Sequence, residues 1–295
     1  MISTSSVSIP LYLPLNAVST GPLAPVQEKY AELRRIVRDL ESVVIGFSGG
    51  ADSALLAKVG FEELGDKAVA VIAISESYPK RERDEAVALA KQIGITTVTV
   101  ETSELGNESY AANPVNRCYY CKQELFVHLE KEAAARGCRW VAYGANHDDL
   151  GDHRPGHIAA RERGARAPLL EAGLTKPEIR HISRELGLKT WDKPALACLS
   201  SRVPYGTRIT ADLLNRLDTA EDFLRHELGF KQIRVRHHGD IARLEVGGDE
   251  IVRLLDDALR NEISERLKSL GYTFVAMELT GYRSGSLNAT IREQN

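Results

Sequence analysis

The stretch that decides the fold is Val43-Val44-Ile45-Gly46-Phe47-Ser48-Gly49-Gly50-Ala51-Asp52-Ser53, in which a short apolar run leads into a loop of small residues. The apolar run is typical of a buried parallel strand, and Leu55, Leu56 and Val59 lie on one side of a predicted helix after the loop. Glycines at such a junction let the backbone approach a phosphate group, whose charge the first amides of the helix complement. The stretch therefore predicts a phosphate-binding loop at the first strand of an α/β sheet.

The alternation of strand and helix continues on both sides of this loop. A helical pattern begins at Glu28, and strands and helices then alternate as far as Tyr143, which predicts a doubly wound parallel sheet of the α/β class. A capping box, Thr175-Lys176-Pro177-Glu178, begins one more helix. The predicted elements are strands at Ala68–Ile74, Thr96–Val100 and Trp140–Tyr143 and helices at Pro79–Ile93, Cys118–Ala135 and Thr175–Leu186.

The last third of the chain has a different pattern, which predicts a smaller C-terminal α+β domain. Two strands meet at a turn with Gly239 and Asp240, and helices lie on both sides of this hairpin. We place the domain boundary near residue 205, with a flexible tail over residues 1–25, a nucleotide-binding domain over 26–205 and a substrate-binding domain over 206–295. The predicted elements are helices at Ala211–Glu227 and Asp249–Leu270 and strands at Gln232–His237, Ile241–Val246 and Thr273–Leu279.

Composition and charge exclude several classes of function. The 295 residues contain 38 Lys and Arg against 41 Asp and Glu, so a large nucleic-acid footprint is not expected. No apolar stretch is long enough to span a bilayer, and residues 1–25 lack the pattern of a signal peptide. Four cysteines in such a chain indicate a reducing compartment, so we expect a cytoplasmic protein.

The hexapeptide Ser48-Gly49-Gly50-Ala51-Asp52-Ser53 lacks the lysine of a Walker A sequence. An ordinary strand-to-helix turn is the alternative interpretation. The hexapeptide resembles the pyrophosphate loop of the adenine-nucleotide α-hydrolases, which split ATP between its α and β phosphates. That resemblance implies that the loop amides, with Ser48 and Ser53, hold the pyrophosphate and that Asp52 positions or binds Mg²⁺.

Three cysteines are candidates for chemistry. Cys118 and Cys121 lie at the start of a predicted helix, where free amides and the helix dipole favour thiolates. Cys198 lies in the irregular loop Lys193–Arg202. Three thiols in two clusters suit an iron–sulfur cluster or zinc, and a pair of half-buried thiols is the structural alternative. Cys138 has no near thiol in sequence and is interpreted as a buried small hydrophobe.

Four motifs occur together and in order: the hexapeptide, Arg117–Lys122, the Gly-rich loop Gly144–Gly156 and Lys193–Arg202. Together they resemble the ATP-dependent sulfur transferases that make the nickel-pincer nucleotide cofactor of lactate racemase, over residues 28 to 285. The resemblance implies that a carboxylate of pyridinium-3,5-biscarboxylic acid mononucleotide is adenylated by ATP and that sulfur then displaces AMP. It also implies a sulfide donor and a nickel-insertion partner, and a homo-oligomer is the expected state.

The source of the sulfur is left open between two branches of that family. In one branch the cysteine that matches Cys198 gives up its own sulfur and becomes dehydroalanine. In the other branch three cysteines hold a [4Fe-4S] cluster whose fourth iron binds an extra sulfide. Cys118 and Cys121 are present beside Cys198, so we favour the cluster, with Cys198 and Asp52 as the catalytic residues.

Candidates for substrate binding lie in the C-terminal domain and in the loop after Tyr143. Arg234 and Arg236 share one face of a strand with His238, which suits a phosphate clamp, or else a solvated hairpin face paired with Arg243 and Glu245. The resemblance favours the clamp, and Arg283 is a weaker candidate. The acidic residues of the loop, Asp148, Asp149 and Asp152, complete a Mg²⁺ or substrate site or are solvated, and Tyr119 is a candidate wall of the cysteine pocket.

Three other functions use the same fold. Thiolation of tRNA requires a large polyanionic substrate, which the charge balance disfavours. An amide-forming ligase of the NAD or GMP synthetase type needs no array of cysteines. A non-catalytic nucleotide sensor would tolerate loss of Asp52 or of the thiols, yet both are present.

Overall fold

The computed structural model describes residues 25–151, 155–194, 197–283 and 285–288. The predicted tail at residues 1–25 lies almost wholly outside them. Seven strands are present in the described ranges: β1 Val43–Gly46, β2 Ala68–Ile74, β3 Thr96–Glu101, β4 Trp140–Tyr143, β5 Ile233–His238, β6 Ile241–Val246 and β7 Phe274–Met277. The α-helices there are α1 Val26–Asp39, α2 Ala51–Leu64, α3 Lys80–Ile93, α4 Glu108–Ala111, α5 Arg117–Arg136, α6 Pro155–Glu162, α7 Pro168–Glu171, α8 Lys176–Glu185, α9 Ala211–Asp222 and α10 Asp257–Ser269.

The first four strands form a parallel sheet, as predicted, and their order is β3-β2-β1-β4. Val43 pairs with Ala68 on one side and with Trp140 on the other. Successive side chains of β1 enter different cores: Val43 and Ile45 pack in one with α1 to α3, and Val44 packs in the other with α5. The chain runs outward from β1 in both directions, so ligands of such a fold bind beyond the carboxyl ends of β1 and β4.

The C-terminal strands form a second sheet in the order β5-β6-β7. β5 and β6 are an antiparallel hairpin, and β7 pairs parallel to β6 after α10. The predicted single helix Asp249–Leu270 is wrong, because the chain forms a 3-10 turn at Gly248–Leu255 and then begins α10. Asp256 caps the new helix by accepting a hydrogen bond from the Leu259 amide, at 2.8 Å.

The C-terminal core also includes residues from the earlier part of the chain. Tyr110, Leu199 and Val203 are buried in the same cluster as α9 and the second sheet. The segment before residue 205 therefore packs on the C-terminal module, while the division of the chain at residue 205 stays a prediction. No helix in the described ranges is long and apolar enough to cross a membrane.

Candidate functional site

The loop after β1 has the backbone that its glycines predict. Gly49 has a φ of 64°, and a Cβ there would lie 2.8 Å from the Cβ of Ala86 on α3. Gly50 is extended and is the N-cap residue of α2. Close packing against α3 and the left-handed backbone both require glycine at position 49, so the chain passes from strand to helix with its amides uncovered by side chains.

Two serines hold this loop in shape. The Ser48 amide donates to Ser53 Oγ at 3.2 Å, and the two hydroxyl groups are also 3.2 Å apart. The Ser53 hydroxyl donates to the Gly50 carbonyl at 3.1 Å. Tyr78, after β2, donates its hydroxyl hydrogen bond to the Ser48 carbonyl at 3.0 Å. These four hydrogen bonds fix the shape of the loop.

Asp52 lies in the first turn of α2 with its two oxygens in different environments. Oδ2 accepts a hydrogen bond from the ammonium group of Lys176 at 2.6 Å. Oδ1 is buried and has no hydrogen-bond partner among the described residues. A carboxylate oxygen that is withdrawn from water and unpaired suits a divalent cation, so the geometry fits the predicted Mg²⁺.

The loop after β4 closes on the same helix terminus. A Cβ on Gly144 would lie 2.9 Å from the Ser53 amide nitrogen. The Asn146 amide donates to Asp149 Oδ2 at 3.0 Å, and Asp148 Oδ2 accepts from the Lys176 amide at 2.8 Å. Asp148 and Asp149 therefore brace the loop and the start of α8. Asp152, the third predicted acidic candidate, lies outside the described residues.

The three candidate cysteines lie close enough to one another to interact electrostatically. Cys118 is accessible to solvent, yet burial by the surrounding protein raises the pKa of its thiol. Cys121 is more deeply placed: burial raises its pKa and its thiol faces Glu104 Oε1 at 3.8 Å. Cys198 interacts electrostatically with both of these thiols. In the described ranges, however, no three Cys, His, Asp or Glu side chains are arranged to hold a metal ion.

Arg117 and Asn113 join the start of α5 to the Cys198 segment. The guanidinium group of Arg117 is buried and donates to the Ser200 carbonyl at 3.0 Å and to the Asn113 side-chain oxygen. The side-chain amide nitrogen of Asn113 donates to the carbonyl of Pro204 at 2.7 Å and to that of Thr207 at 3.1 Å. These contacts tie the residue before Cys118 to the segment that carries Cys198.

The Cys198 segment and the phosphate-binding loop both contact the residues that follow β2. The Leu199 amide donates to the Ser77 carbonyl at 2.9 Å, immediately after β2. The next residue, Tyr78, is bonded to Ser48 of the phosphate-binding loop. The segment after β2 therefore connects the two groups of predicted site residues.

Arg234 and Arg236 are not on a solvated face, because they are only 3% and 7% exposed. Arg236 donates to Glu245 Oε2 at 2.7 Å and to the Ser201 carbonyl at 2.6 Å. Burial and the charge of Arg202 lower the pKa of Arg234 to about 10. The segment that carries Cys198 covers this face of β5, so both arginines lie near that segment. Arg283 is exposed.

Cys138 lies away from the other three cysteines, just before β4. It is half-buried and packs against the core that contains Val44 and Phe126. It also lines an open cavity of about 540 Å³ at the amino-terminal edge of the sheet, with Arg136 and Arg139. The predicted packing role holds, although the thiol is less buried than expected.

Tyr119, the predicted wall of the cysteine pocket, donates to Glu162 at 2.7 Å.

Two site residues were missed as functional candidates. Lys176 was assigned only to a capping box, and Arg117 only to a motif. Tertiary packing alone brings Lys176 to Asp52, because they are 124 residues apart. The sequence signal that could have indicated Lys176 is its position at the start of the helix that follows the β4 loop. The signal that could have indicated Arg117 is its position immediately before Cys118.

The fold and the loop after β1 define the class: an α/β domain with a pyrophosphate-type nucleotide loop at its switch point. The family model described as NAD synthase matches residues 26–148. Over 74 residues, the NH(3)-dependent NAD(+) synthetase of Finegoldia magna is 42% identical, covering 25% of this chain and 29% of that protein.

Two relatives extend over nearly the whole chain. An uncharacterized protein of Synechocystis sp. is 44% identical over 90% of this chain and 99% of its own length. The pyridinium-3,5-bisthiocarboxylic acid mononucleotide synthase of Lactiplantibacillus plantarum is 37% identical over 91% of this chain and 97% of its own. The chain belongs to the family of that synthase.

Proposed function

We propose that this enzyme uses ATP to adenylate a carboxylate of pyridinium-3,5-biscarboxylic acid mononucleotide and then replaces an oxygen of that group with sulfur. One observation carries the proposal: the phosphate-binding loop and the Cys198 segment are both hydrogen-bonded to the residues after β2, Ser77 and Tyr78. A site for activation therefore adjoins a thiol that can serve the transfer. The name of the Lactiplantibacillus plantarum relative identifies the class of substrate.

The reaction has two displacements. A carboxylate oxygen attacks the α-phosphorus of ATP, and the bond to the β-phosphate breaks with release of pyrophosphate. The loop amides, with Ser48 and Ser53, hold the departing pyrophosphate. A sulfur nucleophile then attacks the acyl carbon, and AMP leaves with the carboxylate oxygen. Arg234 and Arg236 bind the phosphate of the mononucleotide from the second sheet.

Two bound groups are part of the proposal. The unpaired oxygen of Asp52 would hold Mg²⁺, which would supply positive charge for the pyrophosphate leaving group. Cys118, Cys121 and Cys198 would hold a [4Fe-4S] cluster, which supplies an exchangeable sulfide. The proximity of the three thiols supports this cluster, although in the described ranges they are not arranged to hold a metal ion. The alternative source is the Cys198 sulfur itself.

Release of pyrophosphate tests the activation step. With ATP labelled at the α-phosphate and the pyridinium dicarboxylate as substrate, the products should be AMP and pyrophosphate, and mass spectrometry should detect a thiocarboxylate. Asp52→Ala should abolish AMP formation with the fold intact. Asp66→Ala, at an exposed carboxylate on the opposite edge of the sheet, should not. Formation of ADP and phosphate would show that the assignment to this class is wrong.

The sulfur source is tested by three single substitutions and one control. If a cluster is used, Cys118→Ala, Cys121→Ala and Cys198→Ala should each lose both the iron content and sulfur transfer, while Cys138→Ala keeps both. If Cys198 gives up its sulfur by β-elimination, the protein loses about 34 Da per turnover as the residue becomes dehydroalanine. Full activity of Cys118→Ala and Cys121→Ala with that mass loss excludes the cluster.

The other expectations depend on this activity. A sulfide donor, a nickel-inserting partner that consumes the product and a homo-oligomeric state remain proposals, as does a cytoplasmic location. Thiolation of tRNA is disfavoured by the balanced charge of the chain, because a large polyanionic substrate favours a basic excess.

A further inference from the structure

The contact between Lys176 and Asp52 has a consequence for the order in which ligands bind. The ammonium group lies 2.6 Å from Asp52 Oδ2, and the adjacent Oδ1 is buried and unpaired among the described residues. An ammonium group on Oδ2 already neutralises the carboxylate whose other oxygen, Oδ1, would bind Mg²⁺. A divalent ion at Oδ1 must therefore compete with this neighbouring positive charge.

The backbone of Lys176 is fixed, whereas its side chain can move. Its amide is bonded to Asp148 Oδ2 at 2.8 Å, and the capping box that follows closes through Thr175 and Glu178. Glu178 is held in turn by Lys29 of α1 at 2.8 Å. The Lys176 side chain is 30% exposed, so its four-carbon stem can change rotamer without unpacking a core.

The geometry points to Lys176 as an exchangeable cation: it occupies the Asp52 carboxylate in the ligand-free enzyme and passes to phosphate oxygens when nucleotide arrives with its metal. Phosphates at the start of α2 would meet both the helix amides and this ammonium group. Movement of the lysine onto them frees Asp52 for the divalent ion. The lysine thereby makes metal binding conditional on nucleotide. This inference rests on the proposed function only for the use of Mg·ATP.

Mn²⁺, followed by electron paramagnetic resonance, is the probe for the exchange. Ligand-free wild-type protein should bind Mn²⁺ weakly, and Lys176→Met should bind it at least about ten times more tightly, because the competing charge is gone. With α,β-methylene-ATP present, Lys176→Met should no longer bind Mn²⁺ more tightly than the wild type, or should bind it more weakly. Asp52→Asn in the Lys176→Met background should remove the tight binding, which would place the ion at Asp52.

Two further variants serve as controls. Lys189→Met removes an exposed lysine just beyond α8 and should leave Mn²⁺ binding as in the wild type. Lys176→Arg keeps a positive charge and should keep the weak binding. Equal thermal melting temperatures of the variants would show that the fold is unchanged.

The outcomes separate this proposal from the sulfur-transfer reaction. Equal Mn²⁺ affinities of ligand-free wild type and Lys176→Met would overturn it. An advantage of Lys176→Met that stays the same size with nucleotide would also overturn it, since the lysine would then not have moved. The measurement needs neither the pyridinium substrate nor a sulfur source, so absence of a thiocarboxylate product would not alter the result.

Discussion

The absence of a side chain at Gly144 allows the β4 loop to approach the phosphate-binding loop closely. Gly144→Ala would place a methyl group 2.9 Å from the Ser53 amide nitrogen. Backbone must shift to relieve that contact, which costs about 1–3 kcal/mol and displaces the first turn of α2. We expect reduced AMP formation and a lower melting temperature.

Gly248→Ala is the matched control for Gly144→Ala. A Cβ at Gly248 would meet no heavy atom within 4 Å, and the residue has no positive φ. Its activity and melting temperature should stay at the wild-type values. Wild-type AMP formation by Gly144→Ala would show that the loops tolerate a wider separation.

A buried charge pair gives the second test at this scale. Arg236→Met should destabilise the protein by about 3–5 kcal/mol, because Glu245, which is 0% exposed, loses its closest partner. The double variant Arg236→Met with Glu245→Met should recover much of that loss in chemical denaturation.

The double variant also tests the phosphate clamp. If Arg236 binds the mononucleotide, this stable variant should bind it about 10-fold to 150-fold more weakly, since a charge-assisted hydrogen bond is lost, while ATP affinity is unchanged. Unchanged affinity for the mononucleotide would leave Arg236 as a purely structural residue.

The arginines also show the limit of reading residues from a strand pattern. A period of two correctly put Arg234 and Arg236 on one face, but it cannot say what covers that face. The cover is the segment 197–203, which precedes β5 by some thirty positions and has no regular pattern of its own. The glycines of the phosphate-binding loop were predictable, because their conformation depends on neighbours in sequence.

At the scale of elements, Asn113 fastens the chain after α4 to the cysteine segment. Its φ is 56°, and its side-chain amide lies within hydrogen-bonding distance of the carbonyls of Val203, Pro204 and Thr207. Asn113→Ala should cost about 2–3 kcal/mol, because buried carbonyls lose donors and alanine is strained in the left-handed region. Hydrogen exchange of residues 198–207 should accelerate.

Asn113→Gly separates the two causes. Glycine accepts the left-handed backbone without strain, so this variant should be more stable than Asn113→Ala while hydrogen exchange in residues 198–207 stays fast. Slow exchange in both variants would show that the side chain does not hold the segment.

The order of elements was predictable wherever local pattern and packing agree. β2 and β4 begin and end at the predicted residues, and the capping box of α8 forms as expected. The prediction of one helix over Asp249–Leu270 is wrong, because the spacing of apolar residues does not show that a new helix begins inside this range with Asp256 as its N-cap. The nearness of Lys176 to Asp52 depends on the position of α8 beside α2, which no local signal specifies.

At the scale of the whole molecule, buried carboxylates make stability depend on pH. Burial alone would raise the pKa of Glu221, but Arg202 and Arg234 outweigh it and hold the pKa below the usual 4.5. The pKa of Glu178 is likewise lowered, because Lys29 and Thr175 outweigh the effect of burial. Both groups contribute stability above about pH 4.5, and that contribution is lost as the pH falls through their folded-state values.

The melting temperature should therefore fall as the pH is lowered below about 4.5. Glu178→Gln should be less stable than wild type at pH 7, and the difference in stability should narrow as the pH falls through the lowered folded-state pKa of Glu178, because the wild-type carboxyl then loses its charge. A constant difference between the two proteins across that range would contradict the linkage.

The second hydrophobic core has a consequence for how this enzyme could have been assembled or can be redesigned. Leu199 and Val203 lie in that core, only one and five positions beyond Cys198. The C-terminal module therefore cannot be replaced independently of the rest of the chain. A foreign module joined after residue 205 would remove the apolar surface against which the Cys198 segment packs. Any exchange of the C-terminal module must carry residues 197–204 and Tyr110 with it, so the Cys198 segment and the second sheet are inherited together.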